Sequence, residues 1–326
     1  MFKIKLRNNK IFHCQENISI FEAAKSNNII LEHSCLTGRC RSCIVKVKSG
    51  STQEIKKDII LSKDERDSNF ILSCNTKPLS NIELDAEDIG NFTIYQKKIL
   101  PAKISSITNL RNDVIKLQLR FPPNSNFKFH PGQYINLIKG DITRSYSISG
   151  FSENGIEFII KKYSSGKMSD YLFNNAKIDD LLRIEGPLGT FFLRESNKRN
   201  LIFLATGTGI APIKLILEHI DRNIANHNKH TVWLFYGARF LKDIFWEPNF
   251  SNLSLNYVPV LSREKNYFSG DSRYVQDVVL ESKINLKDSQ VYACGSIKMI
   301  KSSKEILVKN KLNENDFFSD AFVETY

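Results

Sequence analysis

A chain of 326 residues, 41% hydrophobic and 25% charged, has room for two or three domains and can bury its cores without disulfide support. No apolar stretch reaches the roughly 20 residues that span a bilayer, because the most apolar segment, 201–217, is broken by Thr206-Gly207-Thr208-Gly209, Pro212 and Lys214. The net charge of +11 comes from scattered Lys and Arg without a zinc-finger or RNA-binding signature, which argues against nucleic acid and leaves either a basic solvated surface or attraction to anionic dinucleotides or an acidic protein partner.

The N-terminus alternates like a strand and has no apolar signal core, so a cytoplasmic protein is expected. In that compartment the six cysteines, at 14, 35, 40, 43, 74 and 294, argue against a disulfide framework, and the three crowded into one short loop, Cys35, Cys40 and Cys43, point to metal ligation. The first segment, 1–92, predicts a hairpin over 2–6 and 10–14, a helix over Ser19–Ser26 capped by Ser19, a cysteine-rich loop and a strand over Ile44–Ser49. An acidic stretch, 83–88, leads to a linker. The second segment, 98–196, alternates short strands (102–108, 114–120, 134–138, 144–148, 157–162, 181–185) with turns and one helix near 169–175, which suggests a sandwich or small antiparallel barrel. In the third, 197–326, apolar runs of strand length (201–205, 232–236, 255–261, 291–293) alternate with helical stretches (211–222, 272–281, 296–309). That is the rhythm of a parallel α/β sheet covered on both faces.

The cysteine loop runs from His33 to Cys43, with Cys74 thirty-one positions later. Cys35, Cys40, Cys43 and Cys74 have the C-x4-C-x2-C…C spacing of plant-type [2Fe–2S] ferredoxins. Three thiolates come from one tight loop and the fourth from a distant part of the chain. Gly38 lets the backbone turn close to the cluster, and loop N–H groups tune it. Structural zinc favours paired C-x2-C knuckles, and only one such pair is present. Cys14 reads as a buried strand thiol and His33 as a neighbour rather than a ligand. The segment resembles the ferredoxin β-grasp fold, departing from a common version of the loop by placing Arg41 where Gly follows the second cysteine.

Two strings mark the middle segment, Pro131-Gly132-Gln133-Tyr134 and Arg144-Ser145-Tyr146-Ser147. Together they resemble the FAD domain of the ferredoxin–NADP⁺ reductase superfamily. The resemblance implies that Arg144 pairs with the FAD pyrophosphate, Tyr146 stacks on the flavin or ribityl chain, and Ser147 bonds near the reactive flavin nitrogen, with Ser145 part of the same string. Gly166-Lys167-Met168-Ser169 matches the superfamily's second phosphate motif, where a glycine before a helix start offers free N–H donors. Gly186-Pro187-Leu188-Gly189 matches the turn near the end of its barrel.

In the third segment a buried-strand run leads into Gly207, Thr208 and Gly209, and Pro212 opens a helix. Glycines that admit a pyrophosphate between a strand and a helix N-terminus predict a dinucleotide site. Tyr236, Gly237 and Arg239 end the second strand, where riboses lie in such folds; Cys294 and Gly295 end a later one. By resemblance Cys294 lies near the nicotinamide during hydride transfer. The resemblance favours NADH over NADPH, because the Ser-Arg pair and following Tyr that NADPH-using members carry after the second strand are absent; the alternative is that Arg239 meets a 2′-phosphate. The tail is rich in aromatics, and the resemblance implies that Phe322 or Tyr326 covers the flavin, with packing against the sheet as the alternative for each.

The implied activity is a relay from NADH through FAD to [2Fe–2S] and on to a redox partner protein. Hydride carries two electrons and the cluster accepts one, so the flavin bridges the mismatch. The order ferredoxin, FAD, NAD is similar to two groups: reductases of multicomponent oxygenases and CDP-6-deoxy-glucoseen reductases, which serve a dehydratase. Ser319-Asp320-Ala321-Phe322 and the cysteine loop resemble the second group more closely. A module that keeps the fold without turnover is the alternative from another class; the presence of all four cysteines, Arg144 and Gly207 argues against it.

Overall fold

A computed structural model describes residues 1–322 except 58–59, 91, 94, 153–154 and 265–272. Two compact units are present, Met1–Tyr95 and Gln96–Tyr326.

In the first unit, strands β1 (Phe2–Leu6), β2 (Ile11–Cys14), β3 (Ile44–Ser49), β5 (Phe70–Leu72) and β7 (Ile82–Leu84) form a sheet of order β2-β1-β7-β3-β5. Strands β4 (Thr52–Glu54) and β6 (Thr76–Pro78) pair separately. Period-two burial of Ile4, Leu6, Phe12, Cys14, Val45, Val47, Ile82 and Leu84 places one face of the sheet on the core. Helix α1 (Ile20–Ser26) covers it with Ile20, Phe21, Ala23 and Ala24. As its sequence predicts, Ser19 caps α1, reciprocated by Glu22 in a capping box. A second capping box, Ser62 with Glu65, starts the short helix α2 (Lys63–Asp67).

The second unit begins with a closed antiparallel barrel of order β10-β11-β12-β9-β8-β13. Its strands are β8 (Lys98–Arg111), β9 (Val114–Arg120), β10 (Tyr134–Lys139), β11 (Ile142–Ser152), β12 (Gly155–Lys161) and β13 (Leu181–Leu188). Alternate residues such as Leu117, Leu119, Ile135, Leu137, Phe158 and Ile160 fill the interior. Between β12 and β13 lies helix α3 (Lys167–Asp170), which continues as one wider turn to Asn175.

A five-stranded parallel sheet follows, with β14 (Asn200–Thr206), β15 (Thr231–Ala238), β16 (Leu255–Leu261), β17 (Ser289–Ser296) and β18 (Phe317–Phe322) in the order β16-β15-β14-β17-β18. Leu201, Phe203 and Ala205 of β14 pack on helix α4 (Ile210–Arg222). Ile202 and Leu204 point the other way, into the core shared with α6 (Val275–Glu281) and α7 (Ile297–Lys309). Burial on both faces is why this strand reads as one unbroken apolar run. The short helix α5 (Ile224–His227) follows α4. Barrel residues Val114 and Ile159, with Phe191 just past β13, join the α4 core cluster, and Leu215 of α4 joins the barrel interior, so barrel and parallel sheet share buried apolar contacts. Among the described residues no helix is long and apolar enough to cross a membrane.

Candidate functional site

In the first unit the loop between α1 and β3 carries three cysteines, and the 3₁₀ turn Ser73–Asn75 carries the fourth. All four are free thiols. They meet in two pairs: Cys35 and Cys40 hydrogen-bond each other, and Cys43 Sγ lies 3.2 Å from Cys74 Sγ. The backbone N–H groups of Thr37, Arg39 and Cys40 donate to Cys35 Sγ at 3.4, 3.4 and 3.3 Å, and Cys35 N–H donates to Cys40 Sγ at 3.3 Å. The Cys40 hydrogen bond, with further donation from Thr37 and Arg39, pulls the Cys35 thiol well below its ordinary range. Among the described residues no trio of His, Cys, Asp or Glu closes around one ion. Two thiol pairs with converging N–H donors suit a two-iron cluster better than a single zinc.

Arg41 is in the left-handed region, with φ 67°. That is why glycine is the easier residue there. Its guanidinium pairs with Glu65 of the α2 capping box and donates to the Ile60 carbonyl at 2.8 Å, tying the loop to the next segment. Cys14 is fully buried, its thiol pushed up to about 11 by desolvation, and it lies in the sheet core rather than with the four. His33 Nδ1 lies 2.9 Å from the Leu31 carbonyl, and its ring packs on Phe21.

In the second unit, β11 presents Arg144, Ser145, Tyr146 and Ser147 beside Tyr134 of β10. Among the described residues Arg144 has no carboxylate partner; its one hydrogen bond goes to the Thr143 carbonyl at 2.8 Å. Ser145 Oγ donates to Asn136 at 2.8 Å, and Gln133 fixes the preceding turn through the Gly189 carbonyl at 2.8 Å. Tyr146 rests against the barrel core, and burial raises its hydroxyl pKa. Ser147 is buried. Gly166 caps α3, with Lys167 at the first helical position and the Ser169 hydroxyl accepting from Tyr163 N–H at 3.0 Å. The Met168 side chain is in the barrel core, so only its backbone can face a ligand.

In the parallel sheet the chain runs outward on one side from β14 and on the other from β17, so the topological switch point lies between their C-terminal ends. Ligands of such sheets bind in the crevice there. Gly207 has φ 54°, and a side chain at it would meet nothing within 4 Å, so the turn borders open space. Gly209 is pressed against β17, where an added Cβ would stand 2.1 Å from the Cys294 carbonyl oxygen. Thr208 and Pro212 are buried. Tyr236 is fully buried, and its hydroxyl donates to the Gly207 carbonyl at 3.2 Å, supporting the turn from beneath. Gly237 is buried beside Thr206, whereas Arg239 is exposed. Cys294 is fully buried, and burial, then the neighbouring Asp320, pushes its thiol up. Gly295 packs on Thr206, and Phe322 pairs with Ser296 at the end of β18, partly buried against the α4 core. Tyr326 is outside the described residues.

An uncommitted arginine on the barrel and glycine-lined space at a switch point suit two dinucleotides. The family model for 2Fe-2S iron-sulfur cluster binding domains matches residues 4–79, that for oxidoreductase FAD-binding domains 101–193, and that for oxidoreductase NAD-binding domains 203–305. The chain is 37% identical over 318 residues to Protein RfbI of Salmonella typhimurium (95% of this chain, 93% of that one). It is 37% identical over 316 residues to CDP-6-deoxy-L-threo-D-glycero-4-hexulose-3-dehydrase reductase of Yersinia pestis (96% and 95%).

The chain belongs to the iron–sulfur flavoprotein reductases. A cytochrome P450 reductase from Amycolatopsis, GcoB, shares the fold, with TM-score 0.71 at 21% identity over 99% of each chain. The cofactors of this reductase are a [2Fe–2S] cluster, FAD and NAD(H), and it is an NAD(P)H-dependent oxidoreductase that passes electrons through flavin and cluster. In the sequence Lys214 stands out only as a break in an apolar run, and nothing local marks Glu157 or the Arg41–Glu65 pair. A lone cation on the buried stretch of α4 was the signal available for the first.

Proposed function

We propose that this reductase draws hydride from NADH and delivers single electrons to a CDP-deoxyhexulose dehydratase in the cytoplasm. The observation that carries this reading is the 37% identity to a dehydrase reductase along 96% of the chain. A second reading, an oxygenase reductase, is favoured by 31% identity over 327 residues to phenol hydroxylase P5 protein of Acinetobacter pittii. We assign the functional domains as 1–92, 98–196 and 197–326.

The flavin supplies hydride acceptance and one-electron release; the chain supplies binding and orientation. Arg144 holds the FAD pyrophosphate as a guanidinium fork, helped by backbone N–H groups at 167–169 after Gly166. Tyr146 lies along the flavin or ribityl chain, Ser145 braces the strand, and the Ser147 hydroxyl bonds near the reactive nitrogen. Gly207, Thr208 and Gly209, at the α4 N-terminus opened by Pro212, receive the NADH pyrophosphate. Gly237 and Arg239 border its ribose, and Tyr236 supports the turn. Cys294 and Gly295 wall the nicotinamide pocket, Cys294 as a neutral thiol. Phe322 covers the flavin. Cys35, Cys40, Cys43 and Cys74 ligate the cluster.

The deciding experiment supplies purified reductase and NADH either to a CDP-6-deoxy-hexulose-3-dehydrase with its substrate or to a phenol hydroxylase oxygenase component with phenol. Turnover of the dehydrase alone is expected. Turnover of the hydroxylase alone overturns the reading in favour of the second.

A further inference from the structure

Helix α4 starts at the Gly207–Gly209 turn and lies against the barrel strand that carries Arg144–Ser147. Within this largely apolar contact sits one ammonium, on Lys214, whose side chain is 14% exposed. Lys214 Nζ donates to the Ser149 carbonyl at 2.8 Å, and meets Glu157 Oε1 at 3.3 Å and Glu218 Oε1 at 2.7 Å. Ser149 is two residues past Ser147, and Lys214 is five residues past Gly209.

The acceptor has a structural origin. Strand β11 pairs with β12 through Ile148–Phe158 and then Gly150–Glu157, so Ser149 is the extra residue of a bulge. A bulge leaves such a residue out of the ladder and re-aims its groups. The Ser149 hydroxyl bonds Glu157 at 3.3 Å, which Gln118 also reaches at 3.4 Å. Lys116 lies 3.8 Å from the same carboxylate. A charge buried this deeply is costly unless it is paired and hydrogen-bonded, and here it is both.

We propose that Lys214 is a positioning residue for hydride transfer: by gripping the bulge carbonyl and Glu157 it fixes the spacing between the pyrophosphate turn of α4 and the flavin strand β11. This rests on the assignment of those two strings to NADH and FAD. Lys214 touches neither dinucleotide turn directly. It sets the angle and height at which the nicotinamide meets the flavin, and a misplacement of about 1 Å from a remote change can cost about a hundredfold in rate.

The test is anaerobic stopped-flow reduction of the FAD-loaded holoenzyme by NADH, for wild type, Lys214→Met, Lys214→Arg and Glu157→Gln. Lys214→Met should slow the limiting rate of flavin bleaching by about tenfold or more, leave the half-saturating NADH concentration within about twofold, and weaken the long-wavelength absorbance of nicotinamide stacked on flavin. Lys214→Arg should recover most of the rate and the absorbance, and Glu157→Gln should fall between. Wild-type rate and absorbance in Lys214→Met overturn the proposal, as does a loss in Lys214→Met that appears only as lower FAD content. If Lys214→Met does not fold, Glu157→Gln decides, and an unchanged bleaching rate there overturns the proposal. A wild-type enzyme whose flavin NADH does not bleach would instead overturn the dinucleotide assignment.

Discussion

Among single residues, the four cysteines carry the sharpest expectation. Cys74 reaches the loop from a separate turn, and its hydrogen bond with Cys43 lowers its thiol pKa. Cys74→Ser should lose the cluster, measured as iron content falling from about two per chain, while NADH still bleaches the flavin at near wild-type rate. Retained iron and an unchanged visible spectrum would remove Cys74 from the ligand set. Arg41 shows how one residue can break a local pattern and be compensated. A non-glycine residue held in the left-handed region costs on the order of 1 kcal/mol, and here the side chain is anchored by Glu65 and the Ile60 carbonyl. The spacing of the cysteines was legible because it is set within one loop; the Glu65 partner was not, because it comes from an unrecognised five-residue helix.

At the scale of elements, the Gly207–Gly209 turn separates two reasons for glycine. Gly207 needs its positive φ but borders open space, so Gly207→Ala should cost about 1 kcal/mol and weaken NADH use modestly. Gly209 has no room, because an added Cβ would meet the Cys294 carbonyl oxygen at 2.1 Å. Gly209→Ala should therefore cost about 1–3 kcal/mol and abolish most flavin reduction by NADH; equal effects of the two variants, in thermal melts and bleaching rates, would contradict this packing.

The C-terminal end of α4, helix α5 and the residue before β15 bring together His219, His227 and His230, with ring centroids 6.4 and 5.9 Å apart along the row. Burial, and then neighbouring positive charge, lowers the pKa of His219 and His227. For His230 burial also dominates, against a hydrogen bond to the Lys198 carbonyl. The unfolded chain therefore binds protons that the folded chain resists. Stability from this cluster is present above about pH 6.5 and is lost as pH falls below it. The melting temperature should drop between pH 7.5 and 5.5, and His227→Gln should flatten that slope.

For the whole molecule, charge follows the division into units. Residues 1–95 hold 14 Lys and Arg against 12 Asp and Glu, whereas 96–326 hold 32 against 23. The excess thus lies with the unit that carries both dinucleotide folds, and net positive charge attracts anionic ligands. Raising salt from about 20 to 500 mM should lower kcat/KM for NADH several-fold with little change in kcat, since screening acts on encounter. A salt-independent kcat/KM would show that the excess charge does not steer NADH.

The amino-acid pattern alone determined the three-part architecture. Cysteine spacing, period-two strands and unbroken apolar strands are local signals, each fixed by neighbours a few residues away. It missed β18, whose Phe317–Phe322 shows no period-two burial and takes its place by pairing with β17, and the short strands β4, β5, β6 and β7, which have too few residues to show a period. Only the tertiary structure decided that Tyr236 braces the turn from below, that the Met168 side chain belongs to the barrel, and that Lys214 answers a bulge 65 positions earlier. Those roles come from which groups are desolvated against each other across long sequence separations, and no window along the chain contains both partners.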